Sequence, residues 1–261
     1  APGAPSSRMR GRLFPTRISD QSRERMSAEA KVMAEQDSIE VSEQQIGRAE
    51  VLGFTAAGNT VVLNGCTLEE ADLSGLDLQR WEFKNCRMTT VNLRAADLEG
   101  AKFEGCRGAF ANFTGANLAE VEFRNCDFNN AAFLEAKMND TRFVGCKLTG
   151  ANLTRIASLG LSFKETILAQ ARLPALSFRK SRIERVDFGM ADLSKCDFRD
   201  VVFDGCSLRD TGLVDARFEG ADLRGADLGG LKLIDARKFK GATISRQQAG
   251  DILAELGLKV Q

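Results

Sequence analysis

Large apolar residues recur every five positions through most of the chain. Counted from Leu63, the register runs to Leu233 without slippage, and of its 35 positions only Gly108 and Ser158 are not large and apolar. Neither the 3.6-residue period of a helix nor the alternation of a strand sustains this pattern. A period of five instead requires a short extended stretch with two inward side chains, followed by a corner.

A second set of inward positions lies two residues before the first and holds mostly smaller side chains. Its first members are Cys66, Ala71, Leu76, Trp81, Cys86, Val91, Ala96 and Ala101. The corners carry residues that tolerate positive φ at the third turn position, as a type II turn requires. These residues are Gly65, Gly75, Asn85, Gly100, Gly105, Gly115, Asn125, Gly145, Gly150, Gly205, Gly220 and Gly225. Such sides and corners predict an all-β solenoid with parallel stacking.

Units such as "ADLSG", "ANLTG" and "ADLRG" resemble the pentapeptide-repeat family over about residues 61–240. The resemblance implies a right-handed quadrilateral parallel β-helix with twenty residues per coil. Thirty-five units then make 8.75 coils, or about nine. At ~4.8 Å per coil the rod is expected to be roughly 42 Å long.

The seven cysteines all fall at the smaller inward position, and most are twenty residues apart. A metal or redox column is one interpretation, and a small buried hydrophobe that fits a narrow interior is the other. The chain has no histidine and no CxxC pair, and the inward positions next to each cysteine hold mostly apolar residues. These features favour the second interpretation. Cys196 is ten residues out of phase and is expected on the opposite side. The predicted core ladder comprises Cys66, Cys86, Cys106, Cys126, Cys146 and Cys206, with Phe83, Phe103, Phe123, Phe143, Phe163 and Phe203 before it.

Charge is balanced overall but uneven along the rod. Residues 61–140 hold 13 acids and 8 bases, residues 141–185 hold 2 acids and 9 bases, and residues 186–235 hold 11 acids and 6 bases. The FxxC signature is also lost in this middle segment, at "FKET" and "IERV". Two interpretations remain open, a docking patch for an acidic partner and ordinary solvated charge. The candidate patch, here called the basic waist, consists of Arg172, Arg179, Lys180, Arg182 and Arg185.

The two ends of the repeat are predicted to carry caps. Residues 241–261 are expected to form a capping or dimerisation helix, since Ser245 and Gln248 have capping-box spacing and Gly257 suits a helix stop. A similar segment ends the gyrase-protecting quinolone-resistance proteins, and that similarity implies a homodimer. The predicted cap and dimer residues are Ala249, Ile252, Leu253, Leu256, Val214 and Ile234. Residues 1–19 are expected to be a disordered basic linker, and residues 20–60 an N-terminal helix and an irregular capping coil.

The sequence indicates binding rather than catalysis. The inward positions are filled by apolar side chains, and no phosphate loop or nucleophile motif occurs, so we expect no enzyme activity and no cofactor or metal. The favoured hypothesis is a cytoplasmic scaffold or adaptor for a protein partner, as the C-terminal part of a larger secretion-associated bacterial protein. The alternative is a DNA mimic that binds gyrase. No membrane association is expected, since the sequence has no apolar stretch of eighteen or more residues. No direct nucleic-acid binding is expected either, since exposed aromatic residues do not interleave the basic waist.

Overall fold

The computed structural model of the protein describes residues 38–55, 60–231, 237–255 and 257–259. Ten short strands and two helices lie in these ranges. The strands are β1 (Ile39–Ser42), β2 (Val61–Asn64), β3 (Glu82–Lys84), β4 (Lys102–Glu104), β5 (Glu122–Arg124), β6 (Arg142–Val144), β7 (Ser162–Lys164), β8 (Arg182–Glu184), β9 (Val202–Ser207) and β10 (Asp222–Asp227). The helices are α1 (Arg48–Thr55) and α2 (Arg246–Glu255).

The ten strands form one sheet in which every strand pairs only with its neighbours in the sequence. All pairings are parallel, and from β2 onward the register advances by twenty residues, as in Phe83 opposite Phe103. A chain that returns to the same sheet in the same direction after each such interval must wind as a solenoid. The prediction of a parallel β-solenoid of about nine turns is therefore confirmed.

Three further rows of parallel bridges run along the rod beside the sheet. They run through Thr67, Asp72 and Asp77, and the partners that follow these residues along each row are twenty residues apart. The four rows define four sides of the rod: side one is the sheet, and sides two, three and four follow in the order of those three residues. Side one therefore lies opposite side three, and side two opposite side four.

The corners adopt positive φ at the third turn position, whether or not glycine is present. Gly75 has φ of 66° and Glu70 has φ of 60°. At many corners the turn is closed by a hydrogen bond, as from Ala71 N–H to the Leu68 carbonyl at 3.2 Å. Gly225 differs from the prediction because it lies inside β10 without positive φ; a Cβ there would approach the Phe203 carbonyl to 2.6 Å.

The sheet begins one turn earlier than the five-residue register. Strand β1 pairs with β2, and Val41 lies opposite Leu63. Val41, Ile46 and Val51 are buried and five residues apart, but the first turn contains two extra residues and the helix α1. Because of this two-residue insertion, Val41, Ile46 and Val51 do not fall on the five-residue register that starts at Leu63.

The interior is a continuous apolar column in which aromatic rings stack along the rod. Phe83, Phe103, Phe123 and Phe143 stack on side one with centroids 4.6 to 4.8 Å apart. Phe163 continues this column at 5.3 Å, and Ile183 then ends it. A second column begins on side four at Phe178 and continues through Phe198, Phe218 and Phe239. Phe113 and Phe133 also stack, on side three at 4.9 Å, so the stacked rings occupy sides one and three up to residue 163 and side four from residue 178 onward.

Helix α2 covers the last turn of the rod. The capping box is formed as predicted: Gln248 N–H donates to Ser245 Oγ, and Ser245 N–H donates to Gln248 Oε1. The Gln248 side-chain amide also donates to the carbonyls of Leu223 and Ala226, at 2.7 and 2.6 Å. Gly257, with φ of 80°, ends the helix, and Leu258 N–H donates back to the Leu253 carbonyl.

Several predictions lie outside the described residues. These are the linker at 1–19, the helix expected between residues 20 and 36, and the side chains of Ile234 and Leu256. In the part of the chain that the structure describes, no helix is long and apolar enough to cross a bilayer.

Candidate functional site

The cysteine ladder stands in the core at the start of side two. All seven thiols are buried and free. At the corner before the ladder, the described turns lack the closing hydrogen bond found at other corners. Each ladder thiol donates to the carbonyl at the equivalent corner of the previous turn. Cys106 Sγ lies 3.1 Å from the Phe83 carbonyl oxygen, and Cys126 Sγ lies 3.4 Å from that of Phe103. Thr166 takes the next place after Cys146 and donates through Oγ1 to Phe143.

The thiols on the ladder are poor nucleophiles in the folded state. Contact with Cys106 and burial raise the pKa of the Cys126 thiol to about 12. Burial, with a smaller contribution from the charge of Asp192, raises the pKa of Cys196, on side four, to about 12. Contact with Cys106 lowers the pKa of Cys86, but that thiol is fully buried. The described residues contain no group of three or more His, Cys, Asp or Glu side chains that could hold a metal ion.

The structure divides the basic waist between different sides of the rod. Arg182 projects from the sheet on side one, while Arg172 belongs to the bridge row of side three, the opposite side. Arg179 and Lys180 lie together at the corner between sides four and one, and Arg185 lies at the corner between sides one and two. All five side chains are exposed. Only Arg179, Lys180 and Arg182 form one continuous patch.

Acidic residues on neighbouring turns neutralise part of the basic waist. Arg182 pairs with Glu184 and Asp204, and Arg185 pairs with Glu165. The hydrogen bond from Arg185 holds the pKa of Glu165 below its usual value. Arg179 Nε is 3.8 Å from Asp200, a long ion pair, and Lys180 has no acidic partner among the described residues. Arg179 and Lys180 are therefore the most available cations of the patch.

The backbone ladder of side four is interrupted beside these two cations. Met138 N–H donates to the Ala157 carbonyl at 2.7 Å, and Phe178 N–H donates to that of Asp197 at 2.9 Å. Between these two levels no bridge joins Ala157 to Ser177, although both residues are within the described range. There the N–H groups of Ser158, Gly160 and Ser177 make none of the usual bonds between turns. We call this interface, residues 155–161 against 175–182, the ladder break.

An exchange of side-chain sizes accounts for the ladder break. Ile156 occupies the smaller inward position, and Ser158 the larger one. Leu161 then fills the next small position. Ile156 and Leu161 are only partly buried against the core, although Leu76, Trp81 and Leu176 are buried at equivalent positions, so the combination of Ile156 with Ser158 distinguishes this turn. Leu159 projects outward with 77% of its surface exposed.

The predicted dimer residues are only partly available. Ile252 packs against the core, and Ala249 and Leu253 are half-buried. Val214 lies on side three with 61% of its surface exposed. The outer face of α2 borders an open groove of about 740 Å³ lined in part by Gly250, Ala254 and Leu258.

Family models match the chain on both sides of the ladder break. The model described as "Pentapeptide repeat region" matches residues 59–126, and the model described as "Pentapeptide repeats (8 copies)" matches residues 116–155 and 202–237. Together these segments contain just over half of the 261 residues. The chain belongs to the pentapeptide-repeat family. The matches omit residues 156–201, which contain nearly all of the ladder break and the whole basic waist.

A solved pentapeptide-repeat structure has the same fold at low sequence identity. HetL, a pentapeptide repeat protein involved in heterocyst differentiation regulation from the cyanobacterium Nostoc sp. strain PCC 7120, is 21% identical with a TM-score of 0.58. That match covers 76% of this chain and 94% of HetL. QnrB1, a plasmid-mediated fluoroquinolone resistance protein, is 21% identical over 85% of this chain and 98% of its own, with a TM-score of 0.46. A comparison with curated proteins finds no match.

The ladder break was not predicted from the sequence. Its signal is present as Ile156 two residues before Ser158, since these residue types reverse the usual small and large positions. The split of the basic waist was also visible, because Arg172 and Arg182 are half a turn apart in a twenty-residue coil. Which cations are paired depends on side-chain contacts between turns and was not contained in the five-residue pattern.

Proposed function

We propose that this pentapeptide-repeat protein is a non-enzymatic scaffold that docks a protein partner on its basic waist. The observation that carries the proposal is the pair Arg179 and Lys180, which are exposed, weakly paired or unpaired, and set beside the ladder break. The surrounding segment has 9 bases and 2 acids, whereas the segments on either side are acidic. Proteins built from this repeat are generally structural or interaction folds. A reducing compartment such as the cytoplasm suits the seven free thiols.

The test is a charge reversal that breaks only the long ion pair between Arg179 and Asp200. Arg179→Glu with Lys180→Glu removes the available cations, whereas reversing Arg182 or Arg185 would also place like charges beside Asp204 or Glu165. The matched control is Arg107→Glu with Lys147→Glu, two exposed cations of side two with the same change in net charge. Partners are captured from the source lysate, identified by mass spectrometry and titrated against each variant.

We expect the waist variant to bind at least tenfold more weakly at low salt, and the difference to shrink as salt is raised, because screening shortens the reach of the charges. The control variant should bind as wild type. Thermal melts establish that both variants are folded. Equal binding by wild type and the waist variant would contradict docking on the waist.

An acidic row on side four supports a second candidate, a DNA mimic that binds gyrase. Asp77, Asp97, Glu99, Glu120 and Asp140 follow one another along its N-terminal half, with Arg80 and Lys137 among them. A supercoiling assay with gyrase and a quinolone separates the two candidates. The scaffold predicts no protection by the wild type, while protection that persists in the waist variant would favour the mimic.

Dimerisation through α2 is a further part of the proposal. The half-buried Leu253 and the exposed Leu258 leave apolar surface at this end of the rod. Leu253→Asp would place an unpaired charge in an apolar contact, so light scattering should show a dimer in the wild type and a monomer in the variant. Leu52→Asp in α1, at the other end, is the matched control and should remain a dimer. A wild type that is monomeric at tens of micromolar would contradict this.

A further inference from the structure

We propose that the ladder break is the docking site for one kind of partner: an extended acidic segment that carries a bulky apolar side chain. The inference rests on the proposed function and adds the chemistry of the partner. It combines three features of one small area: exposed apolar side chains, backbone N–H groups without a bond to the next turn, and flanking cations. The regular turns of the described rod do not bring these three features together.

The apolar part of the site is formed by residues that the repeat does not accommodate. Leu159 is 77% exposed, and Ile156 and Leu161 on either side of it are only partly covered. Among the core side chains, Phe163 and Phe178 also retain slight exposure here, at 5 and 6%. An apolar side chain of a partner would cover Leu159 and the edges of its neighbours, removing this surface from water.

The backbone at the break is able to bind an extended segment. The N–H groups of Ser158 and Gly160 have lost the carbonyls that the next turn normally supplies, while Leu159 N–H is held by Asn139 Oδ1 at 3.0 Å. These two donors flank Leu159, so an extended segment lying over Leu159 has an N–H group on either side of it. A partner's carbonyl or carboxylate oxygens would complete these bonds.

Charge selects an acidic partner. Arg179 and Lys180 stand one turn after Leu159 and Gly160, at the same corner of the rod. Arg155 precedes the break, and it already pairs with Glu135 at 2.6 Å. From residue 141 to residue 182 the only acidic side chain is Glu165, which is held by Arg185. Carboxylates of a partner would therefore lie near the cations of the following turn, and few acidic side chains would repel them.

The experiment uses fluorescein-labelled synthetic peptides and the full chain. The probe is a short Asp- and Glu-rich peptide with two leucines, compared with the same peptide carrying serine for leucine and with a lysine-rich peptide that keeps the leucines. Fluorescence anisotropy measures the affinity of each peptide for wild type, for Leu159→Ser, for Arg179→Glu with Lys180→Glu, and for Val214→Ser. Val214 is the matched control, an exposed apolar residue on another side. Melting curves check that all variants fold.

We expect the acidic leucine peptide to bind wild type most tightly and to lose about tenfold in affinity with Leu159→Ser, as the exposure of one leucine implies. Val214→Ser should have no effect. On binding, hydrogen exchange should slow in residues 155–161. If Leu159→Ser binds as wild type while the charge variant does not, the ladder break is not the docking site and the proposed scaffold survives. If neither variant loses affinity, or a single-stranded DNA oligonucleotide binds better than the peptide, both proposals fail.

Discussion

The inward cysteine contributes more than its size to this rod. Each ladder thiol donates to a carbonyl that an open corner leaves without its turn hydrogen bond, as Cys146 does to Phe123 at 3.3 Å. The thiol thereby supplies a weak donor to that carbonyl and gives its own S–H a partner, which alanine of similar volume would not do. Thr166 places a hydroxyl in the same role where the cysteine is absent.

Burial of the thiols predicts slow chemistry. We expect a thiol reagent to label few of the seven cysteines in the native protein and all of them after denaturation, because the thiols are both inaccessible and held neutral. Cys86 separates inaccessibility from protonation as the cause of slow labelling, since its pKa is lowered yet its side chain is buried. Mass spectrometry counts the labels, and rapid native labelling of most cysteines would contradict the core assignment.

Alkaline pH should destabilise the fold through Cys196. Its folded pKa is about 12, above the ordinary thiol value of 9.0. A raised folded pKa means that the stabilising effect is complete below pH 9 and is lost as the pH rises from 9 through 12. Between pH 8 and 10.5 the loss is on the order of 2 kcal/mol, at about 1.4 kcal/mol for each pH unit above 9.

The variant Cys196→Ala provides the comparison for this pH effect. It lacks the titrating thiol and the hydrogen bond to the Leu173 carbonyl, so it should be less stable than wild type at pH 8. Its further loss of stability by pH 10.5 should be smaller. Urea unfolding at the two pH values measures both changes. An equal further loss in wild type and variant would show that Cys196 does not carry the effect.

At the scale of elements, the regular turns could be predicted from the sequence and the exceptions could not. The position of large residues from Leu63 onward determines which side chains point inward and where each corner falls. Helix α1 lies inside the first turn because two extra residues break the phase there, and no five-residue count predicts what an insertion will form. The capping box of α2 was predictable because Ser245 and Gln248 are neighbours in sequence.

The contacts of Gln248 with the rod were not predictable, and they explain how α2 closes the last turn. Gln248→Ala removes donors to two backbone carbonyls and one half of the capping box. We expect a loss of about 1–3 kcal/mol in the free energy of unfolding. Gln247→Ala is the control, because Gln247 bonds only to Asp251 on the helix surface. Equal stability of the two variants in thermal melts would refute this role.

For the whole molecule, the candidate site lies where the repeat pattern of small and large inward residues is interrupted. A rod of nearly identical turns offers no natural place for one partner, but the reversed sizes of Ile156 and Ser158 create one level at which apolar surface and backbone groups are left open. Arg179 and Lys180 fall at the same corner because they follow one coil later. The location of the site thus follows from the twenty-residue period, whereas the opening of the ladder depends on packing inside the rod.

Hydrogen exchange with mass spectrometry on the free, full-length chain tests the ladder break most directly. Amides in residues 155–161, together with that of Ser177, should exchange faster than those one turn before, at 135–141, and one turn after, at 195–201, because most of them lack a backbone hydrogen bond to a neighbouring turn. The surrounding turns serve as internal controls with the same fold and corner geometry. Uniform protection along side four, with residues 155–161 exchanging as slowly as residues 135–141, would contradict an open ladder.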